Sequence, residues 1–171
     1  MTIYFNWSAN ALCPVNPKAA DIFLEANRSV ILKIAQLLLQ GINYIPGPIY
    51  RGIILKKPVN TVEPHKNLKY LSFSTNRAVA EYFANINGFG SKIIDIPQRL
   101  GTHGYIIEYA PKITEVLFHF HLLSFLPYAE AFTLLGIDGQ REVTRLMWQK
   151  EVMILQPTEP FINISKIKFQ A

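Results

Sequence analysis

Three short stretches of this 171-residue chain carry residue types that can do chemistry. Arg51 interrupts an apolar run, Ser72 and Ser74 alternate ahead of a helical pattern, and Gln149 and Glu151 open another apolar run. These types can bind phosphate oxygens, donate a hydrogen bond and stabilise a positive charge. An arginine in an apolar strand needs a paired charge or a ligand, and a serine-rich strand end can hold a small polar ligand.

The serines belong to a stretch from Leu68 to Ala84 that predicts a strand, a polar turn and a helix. Residues 74–76 are all possible helix N-caps, and Phe83 and Ala84 continue an apolar stripe that Tyr82 widens. An ordinary strand–turn–helix without a ligand has the same pattern. Its function therefore has to be argued from residues elsewhere in the chain.

The remaining pattern places helices early in the chain and strands late. Asn16-Pro17 starts a long helix, in two segments or one bent one, whose broad apolar face packs on the core and whose stop is Gly41. This grouping predicts an α+β domain with antiparallel or mixed sheets. We expect one domain over residues 1–171, with a mainly helical leader at 1–48 and a sheet core at 49–171. Strands are predicted at 49–55, 104–109, 116–121, 149–155 and 161–169, a short helix at 127–135 and a long polar connection at 136–148.

Composition narrows the function classes only partly. Half of the residues are hydrophobic and 17% are charged, which is typical of a globular domain. The net charge of +5 permits an acidic or nucleic-acid partner without requiring one. The single cysteine, Cys13, excludes an internal disulfide and a cysteine-based metal site. His119 and His121 share a strand face, and without a third ligand nearby a solvated or stacked pair is preferred to zinc.

No apolar run is long enough for a membrane helix, so we expect no membrane partner. The N-terminus lacks the basic and apolar segments of a cleaved signal peptide. Export by a specialised route that needs no cleaved signal would leave no such mark in the sequence.

Taken in chain order, three motifs resemble the arginine–serine–glutamate class of mono-ADP-ribosyltransferases. They are Tyr50-Arg51-Gly52, the Ser72-Phe73-Ser74 strand end before an Ala-x-x-Phe-Ala helix, and Gln149-Lys150-Glu151. The resemblance covers about residues 49 to 156. It implies the ADP-ribosyltransferase-like fold, in which two roughly perpendicular small β-sheets enclose a cleft for the co-substrate NAD.

The resemblance also implies a role for each site residue. Arg51 would hold the NAD diphosphate or ribose, Ser72 would orient the catalytic carboxylate, and Glu151, at the rim of the cleft, would bind the 2′-hydroxyl of the nicotinamide ribose. Gln149 would position the acceptor. The implied NAD-binding residues are Tyr50, Arg51, Gly52, Ser72, Ser74 and Phe89, the last in a loop folding over NAD.

The implied chemistry needs these residue types. Cleavage of the bond between nicotinamide and ribose creates positive charge on the ribose, which a fixed carboxylate stabilises. An arginine binds phosphate oxygens through a planar fork of donors. No metal is required, and the sequence has no Walker loop or dinucleotide-type glycine motif.

The chain departs from the family pattern at two positions. Phe73 stands where a threonine is usual, and Gln149 stands where arginine-modifying members have a glutamate. Gln-x-Glu goes with other acceptors, including asparagine and nucleic-acid bases. Trp148 either stacks on such a base or is a core residue at a strand entry.

These observations predict transfer of ADP-ribose from NAD to a macromolecule, with RNA or DNA slightly favoured over a non-arginine protein side chain. A toxin or effector that acts in the cytoplasm after signal-less delivery would fit, and a toxin could have a neutralising antitoxin or immunity protein. Two alternatives stay open. One is an NAD glycohydrolase with water as acceptor, and the other is a non-catalytic binding module of the same fold.

Overall fold

The computed structural model describes residues 25–55, 57–60, 70–85, 103–125, 144–155 and 157–167. Several predictions fall outside these ranges. They concern Cys13, Phe89, the first part of the helical leader and the short helix at 127–135.

The described residues form a mixed domain of helices and strands, so the predicted α+β class is confirmed. Its last helix covers residues 144–149 and is called α3 below. The other elements, in chain order, are α1 (Arg28–Gly41), β1 (Ile49–Leu55), β2 (Tyr70–Ser74), α2 (Arg77–Ala84), β3 (His103–Tyr109), β4 (Val116–His119), β5 (Glu151–Leu155) and β6 (Asn163–Lys166), with 3-10 turns at Ile113–Glu115 and Phe120–Phe125.

The six strands pair in the order β4-β5-β2-β1-β3-β6, and every pairing is antiparallel. They therefore form one sheet over the described residues, where the resemblance implied two. β1 and β3 pair along the whole of both strands, but β1 and β2 share the single register pair Tyr50–Ser74. The sheet thus consists of two three-stranded halves joined at one point, and this junction lies among the predicted site residues.

Helix α2 packs directly on β1 because Gly52 has no side chain. A Cβ atom on Gly52 would lie 1.9 Å from the Ala80 carbonyl oxygen and 2.7 Å from the Ala84 nitrogen. The helix begins as predicted: the side chain of Asn76 accepts a hydrogen bond from the Ala78 N–H at 3.0 Å. Its buried face carries Val79, Ala80 and Ala84, but Tyr82, predicted to widen that face, is exposed.

Helix α1 ends at Gly41, as predicted, and packs against β4. Only part of its apolar face reaches the core. Ala35 and Leu39 are buried, whereas Val30, Ile34 and Leu37 are largely exposed. The broad core-facing stripe expected for this helix is therefore wrong over the part that the structure describes. Among the described helices, none is long and apolar enough to cross a membrane.

Several strand boundaries differ from the prediction. β3 begins one residue earlier, at His103, and β6 begins at Asn163 and not at Phe161.

Two further differences lie side by side, in β5 and β4. β5 begins at Glu151, and residues 144–149, expected within a polar connection and a strand start, are helical. β4 ends at His119, and the chain continues as a 3-10 turn where a strand to His121 was predicted. Because His119 pairs with Val152, the end of β4 lies beside the start of β5.

Candidate active site

Arg51 lies where the two halves of the sheet separate. Beyond the Tyr50–Ser74 pair, its Nη1 donates a hydrogen bond to the Ser72 carbonyl oxygen at 2.6 Å. Burial lowers the pKa of Arg51 below its ordinary value, and the negative charge of Glu151 opposes that shift. The guanidinium group stays protonated, since arginine does not lose its proton in proteins. A half-buried cation, with its Nε enclosed, therefore stands between β1 and β2.

Ser72 and Glu151 are in direct contact although 79 positions separate them in the chain. The Ser72 hydroxyl donates to Glu151 Oε1 at 2.6 Å. Glu151 is only 3% exposed, so the rim position expected for it is wrong. The contact exists because β2 and β5 are neighbours and pair antiparallel, which brings the first residue of β5 to the end of β2.

Gln149 and Glu151 lie on opposite sides of a tight turn from α3 into β5. Lys150, between them, has a positive φ of 46°, a conformation that often ends helices. Its N–H donates to the Met147 carbonyl oxygen at 3.2 Å, and its own carbonyl accepts from the Thr75 N–H at 3.1 Å. The turn therefore fixes the end of the helix to the end of β2, and Gln149 is a helix residue and not the strand residue predicted.

Arg145 is a site residue that the sequence prediction missed. Its Nη1 donates to the side-chain oxygen of Gln149 and, at 3.2 Å, to Glu151 Oε2. The missed signal is the spacing, since residues four apart lie on the same face of a helix. That signal was hidden because residues 136–148 were predicted to be a connection. Glu151 thus accepts hydrogen bonds on both oxygens, from Ser72 on one and from Arg145 on the other.

The Ser74 hydroxyl group has a structural contact. It donates to the Gln149 carbonyl oxygen at 2.6 Å and accepts from the Asn76 N–H at 2.9 Å. These bonds hold the turn before β5 against the start of α2. Because the only hydroxyl hydrogen of Ser74 is used in this way, a donor role toward NAD would require breaking that bond.

A cavity of about 260 Å³ opens beside this cluster. Strands β1 and β2 line one side of it, α2 contributes an apolar wall, and α3 contributes Arg145 and Gln149. The buried Nε of Arg51 has no hydrogen-bond partner among the described residues. The predicted residues that border this cavity are Tyr50, Arg51, Gly52, Ser72, Ser74 and Gln149.

Trp148 is not a core residue. It is 55% exposed and makes an edge-to-face contact with Tyr82, which is 43% exposed, at 5.8 Å between ring centroids. The aromatic pair joins α3 to α2 and is next in the chain to the cavity residues Gln149 and Phe83. Of the two interpretations of Trp148, the buried strand entry is therefore wrong, and contact with an acceptor stays a prediction.

His119 and His121 form a ring pair with a centroid distance of 4.7 Å. His119 is buried, and burial together with the nearby His121 lowers its pKa from 6.5 to about 4. Its Nδ1 accepts from the His121 N–H at 3.2 Å, as a neutral imidazole can. No cluster of three or more metal-ligating residues occurs among the residues that the structure describes.

No family model, no curated protein and no solved structure matches this chain. The resemblance to mono-ADP-ribosyltransferases therefore rests on the three sequence motifs alone, and what they imply about the reaction is a proposal.

Proposed function

We propose that this protein transfers ADP-ribose from NAD to a macromolecular acceptor and releases nicotinamide. The observation that carries the proposal is the 2.6 Å hydrogen bond that Ser72 donates to Glu151. The carboxylate of Glu151 is also close enough to the guanidinium group of Arg51 for the two charges to interact. The sequence motifs predict the same three residues. Arg51 and Ser72 border the cavity, whereas Glu151 does not border it and lies behind Ser72 and Arg145, so a bound ribose would have to displace one of these two contacts to reach the carboxylate.

The cavity suits part of NAD. Its volume of about 260 Å³ is just below the range of roughly 300–1,000 Å³ typical of ligand pockets, so we assign it to the nicotinamide-ribose end. Arg51 supplies a half-buried cation for phosphate or ribose oxygens, and its buried Nε–H has no protein acceptor in the described part of the chain. Glu151 supplies the negative charge.

In the proposed reaction, the bond between the ribose C1′ and the nicotinamide nitrogen breaks. The bonding electrons leave with nicotinamide, which becomes neutral, and the ribose becomes an oxocarbenium ion. Glu151 stabilises this cation and accepts a hydrogen bond from the 2′-hydroxyl. A lone pair of the acceptor forms the new bond to C1′, and the acceptor gives its proton to solvent.

The finer fold assignment is part of the same proposal. Two antiparallel three-stranded halves that meet at the single pair Tyr50–Ser74 are compatible with the two small sheets of the ADP-ribosyltransferase-like fold. The catalytic cleft of that fold would then lie at the junction of the halves. A role as a cytoplasmic toxin or effector with a neutralising partner rests on the resemblance alone.

The proposal is tested with NAD labelled on its adenylate part and incubated with the protein and a whole-cell extract. The extract is then separated into protein, RNA and DNA. We expect label in one macromolecular fraction, lost in Glu151→Gln. Label that appears only in free ADP-ribose would show that the protein hydrolyses NAD and does not transfer ADP-ribose. NAD that stays intact under all conditions would favour the non-catalytic binding module.

A further inference from the structure

Arg145 controls which atom of the Gln149 side chain can face a bound acceptor. Its guanidinium group has only donors, so the Gln149 side-chain atom beside it has to be the oxygen and not the nitrogen. The Nε2 group, which carries two donors, then points away from Arg145. No described residue accepts a hydrogen bond from it, and Gln149 borders the cavity.

We infer that Arg145 is a positioning residue that fixes Gln149 as a hydrogen-bond donor toward the acceptor. This inference rests on the proposed transferase function and narrows its substrate class. The acceptor must place a hydrogen-bond-accepting atom next to its nucleophilic nitrogen. A guanidinium group has no such atom and is excluded. Nucleobases satisfy the requirement, because each has a ring nitrogen or carbonyl oxygen beside an N–H group.

Two further observations favour a nucleobase over a protein carboxamide. The exposed Trp148 ring adjoins Gln149 in the chain, and stacking on an aromatic side chain is how proteins hold unpaired bases. The net charge of +5 attracts a phosphate backbone. The inferred acceptor is therefore an unpaired base of RNA or DNA.

The hydrogen bond between Arg145 and Gln149 also affects which acceptors a variant at position 149 can use. Arginine-modifying members of the class that the motifs resemble carry a glutamate at this place, which suggests that Gln149→Glu alone would admit a guanidinium acceptor. Here the new carboxylate would pair with Arg145, four residues earlier on α3. We therefore expect the switch to guanidinium acceptors only when Arg145 is removed as well.

The test measures transfer and hydrolysis of labelled NAD in the full chain, with single-stranded oligonucleotides, an asparagine-containing peptide or agmatine as acceptor. The ratio of transfer to hydrolysis is compared, so that any general loss of Glu151 function cancels. Arg145→Gln, whose amide can present either atom, should lower the oligonucleotide ratio roughly tenfold, the effect of one lost hydrogen bond. Arg145→Lys keeps a donor-only group at this position and should retain the wild-type ratio of transfer to hydrolysis with oligonucleotides.

Arg28→Gln is the matched control, since it removes the same charge from an exposed arginine of α1. It should leave the ratio unchanged. Gln149→Glu should not modify agmatine, whereas Arg145→Ala/Gln149→Glu should. An unchanged ratio in Arg145→Gln, or agmatine labelling by Gln149→Glu alone, overturns the positioning role. Transfer to the peptide and not to oligonucleotides overturns the nucleobase assignment.

A readout without turnover separates this inference from the proposed function. The side-chain amide signals of Gln149 in a nitrogen-15 NMR spectrum are assigned by their loss in Gln149→Ala. They should shift in Arg145→Gln and not in Arg28→Gln, and an unmoved signal refutes the contact. Absence of any nicotinamide release by the wild type refutes the transferase instead, together with the acceptor class inferred from it.

Discussion

Two carboxylates are buried to almost the same degree, yet their surroundings differ in kind. Glu115 is 4% exposed and Glu151 is 3% exposed. Glu115 accepts hydrogen bonds only from neutral groups, namely the Tyr109 hydroxyl at 2.7 Å, the Lys112 N–H at 2.9 Å, and the N–H at 3.0 Å and hydroxyl of Thr158. Glu151 accepts hydrogen bonds from the Ser72 hydroxyl and the Arg145 guanidinium group, and it also interacts with the positive charge of Arg51.

The difference separates a carboxylate that holds the fold from the one to which we assign a role in the proposed reaction. Glu115 ties the 3-10 turn before β4 to the segment that follows β5, and it borders none of the described cavities. Two residues that border the proposed NAD cavity, Ser72 and Arg145, donate hydrogen bonds to Glu151. A third cavity residue, Gln149, accepts a hydrogen bond from Arg145. Burial alone therefore does not distinguish the two carboxylates, and the role proposed for Glu151 rests on its charged partners beside a cavity.

The strongest way to break this comparison is to make the same substitution at both positions. Glu151→Gln keeps the shape and an oxygen for Ser72 but loses the charge, so nicotinamide release should fall by about a thousandfold. Glu115→Gln should retain wild-type turnover per folded molecule. Equal losses in both variants, measured on protein shown to be folded by circular dichroism, would mean that the charge of Glu151 has no special role.

A third buried titratable group should make the protein sensitive to mild acid independently of both carboxylates. The folded pKa of His119 is lowered from 6.5 to about 4, so between these values the unfolded chain binds more protons. The contribution of neutral His119 to the free energy of unfolding is therefore fully present above pH 6.5. It is lost as the pH drops toward 4, by at most about 3 kcal/mol.

This acid dependence is checked by urea unfolding at pH 7 and pH 5. His119→Asn, which keeps an acceptor near the position of Nδ1, should lose much of the difference between the two pH values. His121→Asn is the control, because His121 is exposed. If the wild type and His119→Asn respond equally to pH, His119 is not the group responsible.

Glu115→Gln should lower the free energy of unfolding by about 2 kcal/mol, because an amide cannot accept all four hydrogen bonds and turns two donors toward other donors. Burial opposes ionisation of Glu115, but the hydrogen bonds outweigh it and lower the pKa. The stabilisation is thus present above the unfolded pKa and lost as the pH falls below it. Urea unfolding at pH 7 and pH 3 should show a smaller pH effect in the variant.

The comparison also shows how far sequence reasoning reaches. The strand Ile49–Leu55, the Asn76 cap and the α1 stop at Gly41 were predictable because each depends on local patterning. Arg51, Ser72 and Glu151 were found through motifs. Arg145 was not, because its importance depends on a short helix that a polar sequence conceals and on a turn that Lys150 makes with positive φ.

Glu115 was not predictable either, for a different reason. Its donors come from β3, the following turn and Thr158, 43 positions away, so only the folded chain brings them together. A capping-box spacing links Glu115 to Lys112, but no spacing rule links it to Tyr109 or Thr158. The same holds for the merging of two expected sheets into one, which depends on a single register pair between β1 and β2.

The smallest expected effects come from removing one hydroxyl donor from each carboxylate. Ser72→Ala leaves Glu151 Oε1 without its serine donor, so turnover should drop roughly tenfold through a misoriented carboxylate, with a loss of about 1 kcal/mol in stability. Thr158→Val, nearly isosteric, removes the hydroxyl donor of Glu115 and should cost about 1 kcal/mol of stability with turnover unchanged. Both are measured by nicotinamide release and urea unfolding. A turnover defect in Thr158→Val as large as that in Ser72→Ala would show that the two carboxylates are not separate in function. A donor to Glu115 would then matter to the proposed reaction as much as a donor to Glu151.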